Sequence, residues 1–306
     1  MKNYSQVRHL ARSLGLADDA RIVIAHIDDV GMCHGANKAF FDLANHGFIT
    51  CGSVMVPCPW FRELALQCQS DPTLDMGVHL TLTSEWSGYR WRPLSTTSRH
   101  SGLIDDDGYM WRNVKLLRDH LVPEAAESEM RAQIDTAIAA GVDMTHIDAH
   151  MGAALMPELM EIYLKLAQEY RLPAVLPRVM EQYLSALNNT GEIDARLYDP
   201  ILEELCSRNM PVLDFFSQTL GVSAEQCESA YKDLIQSVPV GLSFLAFHCN
   251  APGDIETIIP PRAHWRTDEY ALFGSANFLD WLRAQNLHLV GFRKIRDWYR
   301  ALPVST

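Results

Sequence analysis

The stretch Arg21-Ile22-Val23-Ile24-Ala25-His26-Ile27-Asp28-Asp29-Val30-Gly31 governs how the rest of the chain is read. Ile22, Val23 and Ile24 stand in a row, a short apolar run that predicts a buried strand over residues 21–25. That strand runs out into two adjacent carboxylates and a glycine. A helical pattern follows over residues 36–45, with Phe40, Phe41 and Leu43 as its apolar members and His46-Gly47 as its stop.

The same alternation continues along the chain. Strands are expected at 49–56, 76–82, 145–149, 174–176, 242–247 and 287–292, and a short helix at 60–67. Met130, Ile134, Ala137 and Ile138 share one face of a helix over 127–140. Pro157 is tolerated in the first turn of a helix that continues through Leu159, Ile162, Tyr163 and Leu166. Ser223-Ala224-Glu225-Gln226 reads as a capping-box start for a helix reaching Ile235, and a last helix is expected over 268–284. Strand and helix in turn imply a mostly parallel sheet covered by helices. Neither a linker nor an internal repeat interrupts the pattern, so residues 1–306 are read as one α/β domain.

Residues 84–118 depart from it. They are rich in Trp, Tyr, Arg, Gly and Ser and form a long excursion, with Ile104 and the Asp106-Asp107-Gly108 turn suggesting a small hairpin. Loops of this length in compact domains are commonly functional.

Composition narrows the partners. A net charge of -12 with no cluster of Lys or Arg disfavours nucleic acid. The 306 residues can bury a large core, so a metal would serve chemistry rather than folding. Seven cysteines, irregularly spaced and without a Cys-x-x-Cys pair, read as reduced thiols of a cytoplasmic protein. The start Met1-Lys2-Asn3-Tyr4-Ser5 is polar, and no apolar run approaches the roughly 18 residues of a membrane span. The sequence is compatible with a homo-oligomer but does not specify one.

Four apolar strands end in groups that can bind a metal: Asp28-Asp29, His79, the His146/Asp148/His150 run, and His248. Catalytic groups of α/β barrels sit at the C-terminal ends of several strands, so a closed or nearly closed barrel is preferred to an open sheet. Gly31 allows a turn that brings both aspartates inward; one can bind a cation while the other takes a proton. Residues 146, 148 and 150 share one strand face, and an aspartate between two histidines can ligate or fix an imidazole tautomer. His248, near a metal, suits a general acid. One carboxylate and two imidazoles leave positions open for water and substrate, the layout of a catalytic site. The residues alone point to metal-assisted hydrolysis of an amide, an ester or a phosphoester.

Three blocks also carry a resemblance to the YdjC-like carbohydrate deacetylases, the chitooligosaccharide deacetylase family. Ile27-Asp28-Asp29-Val30-Gly31-Met32-Cys33-His34, with Asn37 after it, is similar to the family's Ala-Asp-Asp-x-Gly block. Gly77-Val78-His79-Leu80-Thr81-Leu82-Thr83 and Thr145-His146-Ile147-Asp148-Ala149-His150 follow in order. The likeness is close over residues 21–150 and looser beyond, ending with Gly291-Phe292-Arg293-Lys294-Ile295-Arg296-Asp297.

The resemblance implies a distorted (β/α) barrel, TIM-like, and one divalent ion held by an Asp-His-His set. It implies removal of an N-acetyl group from an acetylated sugar or oligosaccharide. Carried over, the ligands are Asp29, His79 and His150, with His146 as the alternative to His150. Asp28 becomes the general base and His248 the general acid, and Asp148 supports the ligands from behind. The family's His-Pro is here His248-Cys249-Asn250-Ala251-Pro252, and its further histidines are replaced by Met151-Gly152. Zn, Mg, Mn, Co and Ni all suit a carboxylate with two imidazoles. Trp86, Tyr89 and Trp91 are expected to stack on a sugar, Arg178 to orient a carbonyl, and Arg262, His264 and Trp265 to line a rim. The competing readings are another metal-dependent amidohydrolase or phosphoesterase, or a non-catalytic metal- or sugar-binding protein.

Overall fold

Along β1, Arg21–Val30, the side chains divide by parity. Ile22 and Ile24 belong to one apolar cluster with Leu242, Phe244 and Phe292, whereas Val23, Ala25 and Ile27 belong to another, which includes Phe40 and Leu64. Successive strand residues face opposite sides. The strand is therefore buried on both faces, between an interior and a layer of helices, which is why its sequence is a continuous apolar run. Fully burying each such aliphatic side chain contributes roughly 1.5–3 kcal/mol. The description comes from a computed structural model and covers residues 5–44, 46–181, 183, 193–207 and 210–302.

The sheet adds β2 (Cys51–Val54), β3 (Met76–Leu80), β4 (Met144–Ala149), β5 (Phe215–Gln218) and β6 (Gly241–Phe247). Their order is β4-β3-β2-β1-β6-β5, all parallel. A two-residue β7 (His288–Leu289) pairs with Ile22 and Val23 at the foot of β1, on the edge that β2 takes from His26 upward.

The two ends of this arc are joined. Ile147 donates its amide to Pro173 O and accepts from Val175 N, and Leu213 donates to Leu176 O while accepting from Arg178 N. These contacts carry the parallel bridges Ile147 to Ala174 and Pro177 to Leu213. Backbone hydrogen bonds therefore pass from β4 through residues 174–177 to the segment entering β5. The fold is a distorted α/β barrel of parallel strands with helices outside.

The helices are α1 (Ser5–Ser13), α2 (His34–Ala44), α3 (Phe61–Ser70), α4 (Val114–His120), α5 (Pro123–Ala139) and α6 (Pro157–Glu169). They continue with α7 (Asp199–Ser207), α8 (Ala224–Ser237), α9 (Asp254–Ile258), α10 (Ala263–Phe273), α11 (Ala276–Arg283) and α12 (Phe292–Ala301). Leu10 of α1 and Phe292 and Ile295 of α12 pack with Ile22 and Leu242 near the strand starts. No helix among the described residues is long and apolar enough to cross a membrane.

Three expectations change. The helix expected over 268–284 is two, because Gly274 follows α10 and the Ser275 hydroxyl accepts from Phe278 N to start α11. The strand expected over 287–292 is reduced to His288–Leu289, since Phe292 already opens α12. Ser223 does precede α8, but its side chain caps no backbone amide there. The excursion after β3 carries the expected hairpin contact, an antiparallel bridge between Ile104 and Met110.

Candidate active site

The inward face of β1 changes character along its length. Ile22 and Ile24 give way to His26 and Asp28, apolar at the foot and polar at the mouth. Strand alternation would turn Asp29 away from Asp28. Asp29 instead takes a left-handed backbone, with φ of 60°, and both aspartates line one cleft. Aspartate is among the few L-residues that adopt this conformation readily.

Asp29, His79 and His150 converge. Asp29 Oδ1 lies 3.5 Å from His79 Nε2 and 3.1 Å from His150 Nδ1. The three donor atoms all fall within 4.8 Å of one another, and all three residues are buried. Two donors about 2.1 Å from a shared ion, at ordinary coordination angles, lie roughly 3.0–3.4 Å apart. Asp29 Oδ1 is buried, and no donor has the direction of a hydrogen bond to it. An acceptor left bare beside two imidazole nitrogens fits a cation.

The charges agree. Burial alone would lower His79, but Asp148 and Asp28 raise it above the usual histidine value. Burial likewise opposes, and Glu85 and Asp29 overcome, at His150, which is pushed up to about 10. Burial would raise Asp29, yet Arg266, His150 and His248 hold it well below the usual carboxylate range. Four carboxylates, Asp28, Asp29, Glu85 and Asp148, therefore draw positive charge to this spot. A divalent ion can replace the protons on the two imidazoles.

A surrounding set of groups fixes the ligand rings. His79 Nδ1 faces Asp148 Oδ1 at 2.9 Å and Ser53 Oγ at 3.0 Å, which turns Nε2 toward Asp29. Ser53 Oγ donates to Asp148 Oδ2 at 2.8 Å. His150 Nε2 meets both Glu85 oxygens at 3.1 Å, leaving Nδ1 for Asp29. His146 stands elsewhere. Its Nε2 is 3.0 Å from His26 Nε2 and its ring stacks on Phe292. The geometry thus groups His150, not His146, with Asp29 and His79.

His248 closes the other side of the mouth. Its Nε2 is 3.8 Å from Asp28 Oδ2, and its Nδ1 is 2.8 Å from Thr219 Oγ1. Burial and the nearby Arg266 push it down to about 4, so its resting ring is neutral near pH 7. Glu269 accepts from the His248 amide at 2.8 Å. Burial pushes the Glu269 carboxyl up to about 7, against the hydrogen bonds from Tyr231, Thr219 and His248. Arg266 reaches Asp29 Oδ2 at 2.8 Å.

The cleft holds about 540 Å³, and Trp86, Arg112, Arg262 and Trp265 line it above the carboxylates. Trp91 does not line it. It is 3% exposed, packs edge-on to His150, and donates its indole N–H to Thr83 O. Tyr89 likewise turns inward, donating to Met32 O. Arg178 is outside the cleft lining, held to Asp214 Oδ1 at 3.0 Å. Its expected role as a carbonyl-orienting group is therefore withdrawn, as is stacking by Trp91 and Tyr89. His264 is exposed and also lies outside the lining.

His26, Ser53, Glu85, Thr219, Arg266 and Glu269 were not singled out from sequence. His26 was legible in principle, two residues before Asp28 on one strand face. The others come from loops, neighbouring strands or α10 and reach the site only through the fold.

Fold and site together define an α/β-barrel protein with a metal-capable donor set at the mouth of its strands. The chain belongs to the YdjC-like protein family, whose sequence profile matches residues 22–284. It is 33% identical over 263 residues to a carbohydrate deacetylase of Thermus thermophilus, covering 86% of this chain and 90% of that one. A chitooligosaccharide deacetylase of Yersinia enterocolitica is 26% identical over 191 residues, 60% of this chain and 72% of that one. Among solved structures, a putative cellobiose-phosphate cleavage protein of Enterococcus faecalis superposes with a TM-score of 0.69 at 20% identity. The match spans 90% of this chain and 99% of that one.

Proposed function

We propose that the protein is a divalent-metal-dependent carbohydrate deacetylase that hydrolyses the N-acetyl group of an acetylated sugar or oligosaccharide. The observation that carries this reading is the meeting of Asp29, His79 and His150 with Asp28 and His248 in one cleft. Family membership and the deacetylase names of the relatives supply the reaction class.

Asp29, His79 and His150 would hold the ion. When bound, it supplies Lewis acidity toward the acetyl carbonyl and an activated water. Zn, Mg, Mn, Co and Ni are the candidates for a carboxylate with two imidazoles. Asp28 is the general base. Its Oδ2 is 4.0 Å from His79 Nε2 and takes the proton of the attacking water. His248 is the general acid. Being neutral at rest, it takes up the proton that Asp28 has accepted once the two side chains, 3.8 Å apart here, close to hydrogen-bond distance, and passes it to the leaving amine. The proton lost by water is thereby the proton gained by the amine, and the acetyl carbon keeps the oxygen.

Trp86 and Trp265 offer aromatic faces to the sugar, and we infer a cytoplasmic protein with reduced thiols. Cys33, Cys51, Cys58, Cys68, Cys227 and Cys249 are all buried and without disulfides. The test is acetate release from N-acetylated chitooligosaccharides and shorter acetylated sugars, with and without chelator, across the five metals. Release that stops with chelator and returns with one metal supports the reading. Folded, metal-loaded protein that releases no acetate from any of them overturns it.

A further inference from the structure

Hydrogen bonds continue from Asp28 down through the barrel interior. Asp28 Oδ1 is 2.7 Å from His26 Nδ1, and His26 Nε2 is 3.0 Å from His146 Nε2. His146 Nδ1 is 3.0 Å from Thr145 Oγ1, which donates to Asp75 Oδ1 at 2.6 Å. Asp75 Oδ2 accepts from Arg293 N at 2.7 Å. His26, His146, Thr145 and Asp75 are all buried.

Two glycines make room for this row. A Cβ on Gly77 would lie 2.5 Å from the His146 ring, and one on Gly291 would lie 2.3 Å from Asp75 Oδ2. His26, His146 and Asp148 are also close enough to share an ion. Both nitrogens of each ring are already used in the row, so a second metal is not the better account.

The row has a direction. The Thr145 hydroxyl has one proton and gives it to Asp75, so its oxygen must accept from His146 Nδ1–H. Burial and the adjacent His26 hold His146 well below the usual histidine value, so it is neutral and carries one ring proton only. His146 Nε2 is then bare and accepts from His26 Nε2–H, and the 2.7 Å contact with the Asp28 carboxylate is a second donation, from His26 Nδ1–H, so the row places a proton on both ring nitrogens of His26. That arrangement holds the His26 ring against Asp28.

We propose that Asp75, acting through Thr145, His146 and His26, is a positioning residue for Asp28, and that it fixes His146 as the Nδ1–H tautomer. The importance of Asp28 rests on the deacetylase reading; the tautomer does not. Asp75 gives up no proton in this scheme and touches no substrate.

The tautomer is read by 15N NMR of the zinc-loaded, full-length protein labelled at histidine. His146 is expected with its proton on Nδ1. In Asp75→Asn the carbonyl oxygen stays on the Arg293 amide and the NH2 faces Thr145. The row reverses, and the His146 proton is expected on Nε2. Thr145→Val is expected to lower kcat for N-acetylated chitooligosaccharide about ten-fold with KM unchanged, through misorientation of Asp28, and Thr145→Ser to restore it. A native His146 protonated on Nε2, an Asp75→Asn protein with an unmoved tautomer, or a folded Thr145→Val protein with unchanged kcat would overturn the proposal. If the native protein releases no acetate, the deacetylase reading fails while the NMR result still decides the tautomer.

Discussion

Asp148 Oδ1 lies 2.9 Å from His79 Nδ1, and that contact decides which nitrogen His79 turns toward Asp29. A carboxylate behind a ligand imidazole fixes its tautomer and raises its basicity. Asp148→Asn is expected to weaken metal binding about 10–100-fold with little change in fold. Competition of the loaded protein against a chromophoric chelator measures it. Unchanged affinity would mean that Ser53, 3.0 Å from the same nitrogen, suffices to hold the ring.

The adjacent aspartates should separate cleanly. Asp29→Asn removes the charge from the donor trio, and the purified variant is expected to carry little metal. Asp28→Asn leaves the trio intact and is expected to keep its metal while kcat falls roughly 10²–10⁴-fold, the usual contribution of a general base. Metal analysis beside acetate release distinguishes them. Equal metal loss in both would place Asp28 among the ligands.

The tryptophans divide in the same way. Trp86 lines the cleft, so Trp86→Ala is expected to raise KM for an oligosaccharide more than for a minimal acetylated sugar. Trp91 is buried, and Trp91→Ala is expected to cost about 3–5 kcal/mol of stability through the cavity it leaves. Urea unfolding of both variants, with kinetics on both substrates, gives the contrast.

Glu269 and His248 make opposite contributions to stability against pH. Glu269 sits at about 7 in the fold against an ordinary 4.5, so the unfolded chain loses its proton first as pH rises. Its contribution therefore declines from about 4.5 to about 7. His248 sits at about 4 against 6.5, so the unfolded chain takes up a proton first as pH falls, and its contribution declines from about 6.5 down to about 4. In the shared window the slopes oppose. Glu269→Gln is expected to leave the His248 slope exposed, with stability rising more steeply between pH 4.5 and 6.5 than in the native protein. The change over the full window is on the order of 3 kcal/mol for shifts of this size. Urea midpoints across that range test it; parallel curves would mean that Glu269 titrates normally.

What could be read in the sequence was whatever a single strand writes along itself. The run Ile22-Val23-Ile24 announces burial, and polar residues at 28, 29, 79, 148, 150 and 248 stand where such runs stop. What could not be read depends on which segments meet. Arg178 looks available until the fold supplies Asp214, and Trp91 looks like a surface aromatic in a glycine- and serine-rich stretch until the fold packs it against His150. Glu85 and Arg266 lie 56 and 237 residues from Asp29, and no local period links them to it. The choice between His146 and His150 was closed to strand parity, since both share a face. It turns on the row of hydrogen bonds that occupies both nitrogens of His146.

The barrel is fastened by a few backbone bonds around residues 174–177, made on the β4 side by Ile147 in the strand that leads to His150. Asp29, His79 and His150 stand on the unbroken arc from β1 through β4, built from consecutive strands of the N-terminal half. Opening the seam would leave those neighbours in register, and β6, next to β1 on its other edge, with them; Thr219, on His248 Nδ1, follows β5 at the end of the run. His248 follows β6, which pairs with β1 along its whole length, so the metal donors and the proton carrier all stand on the contiguous run β4-β3-β2-β1-β6, and the seam closes the barrel without being what brings them together.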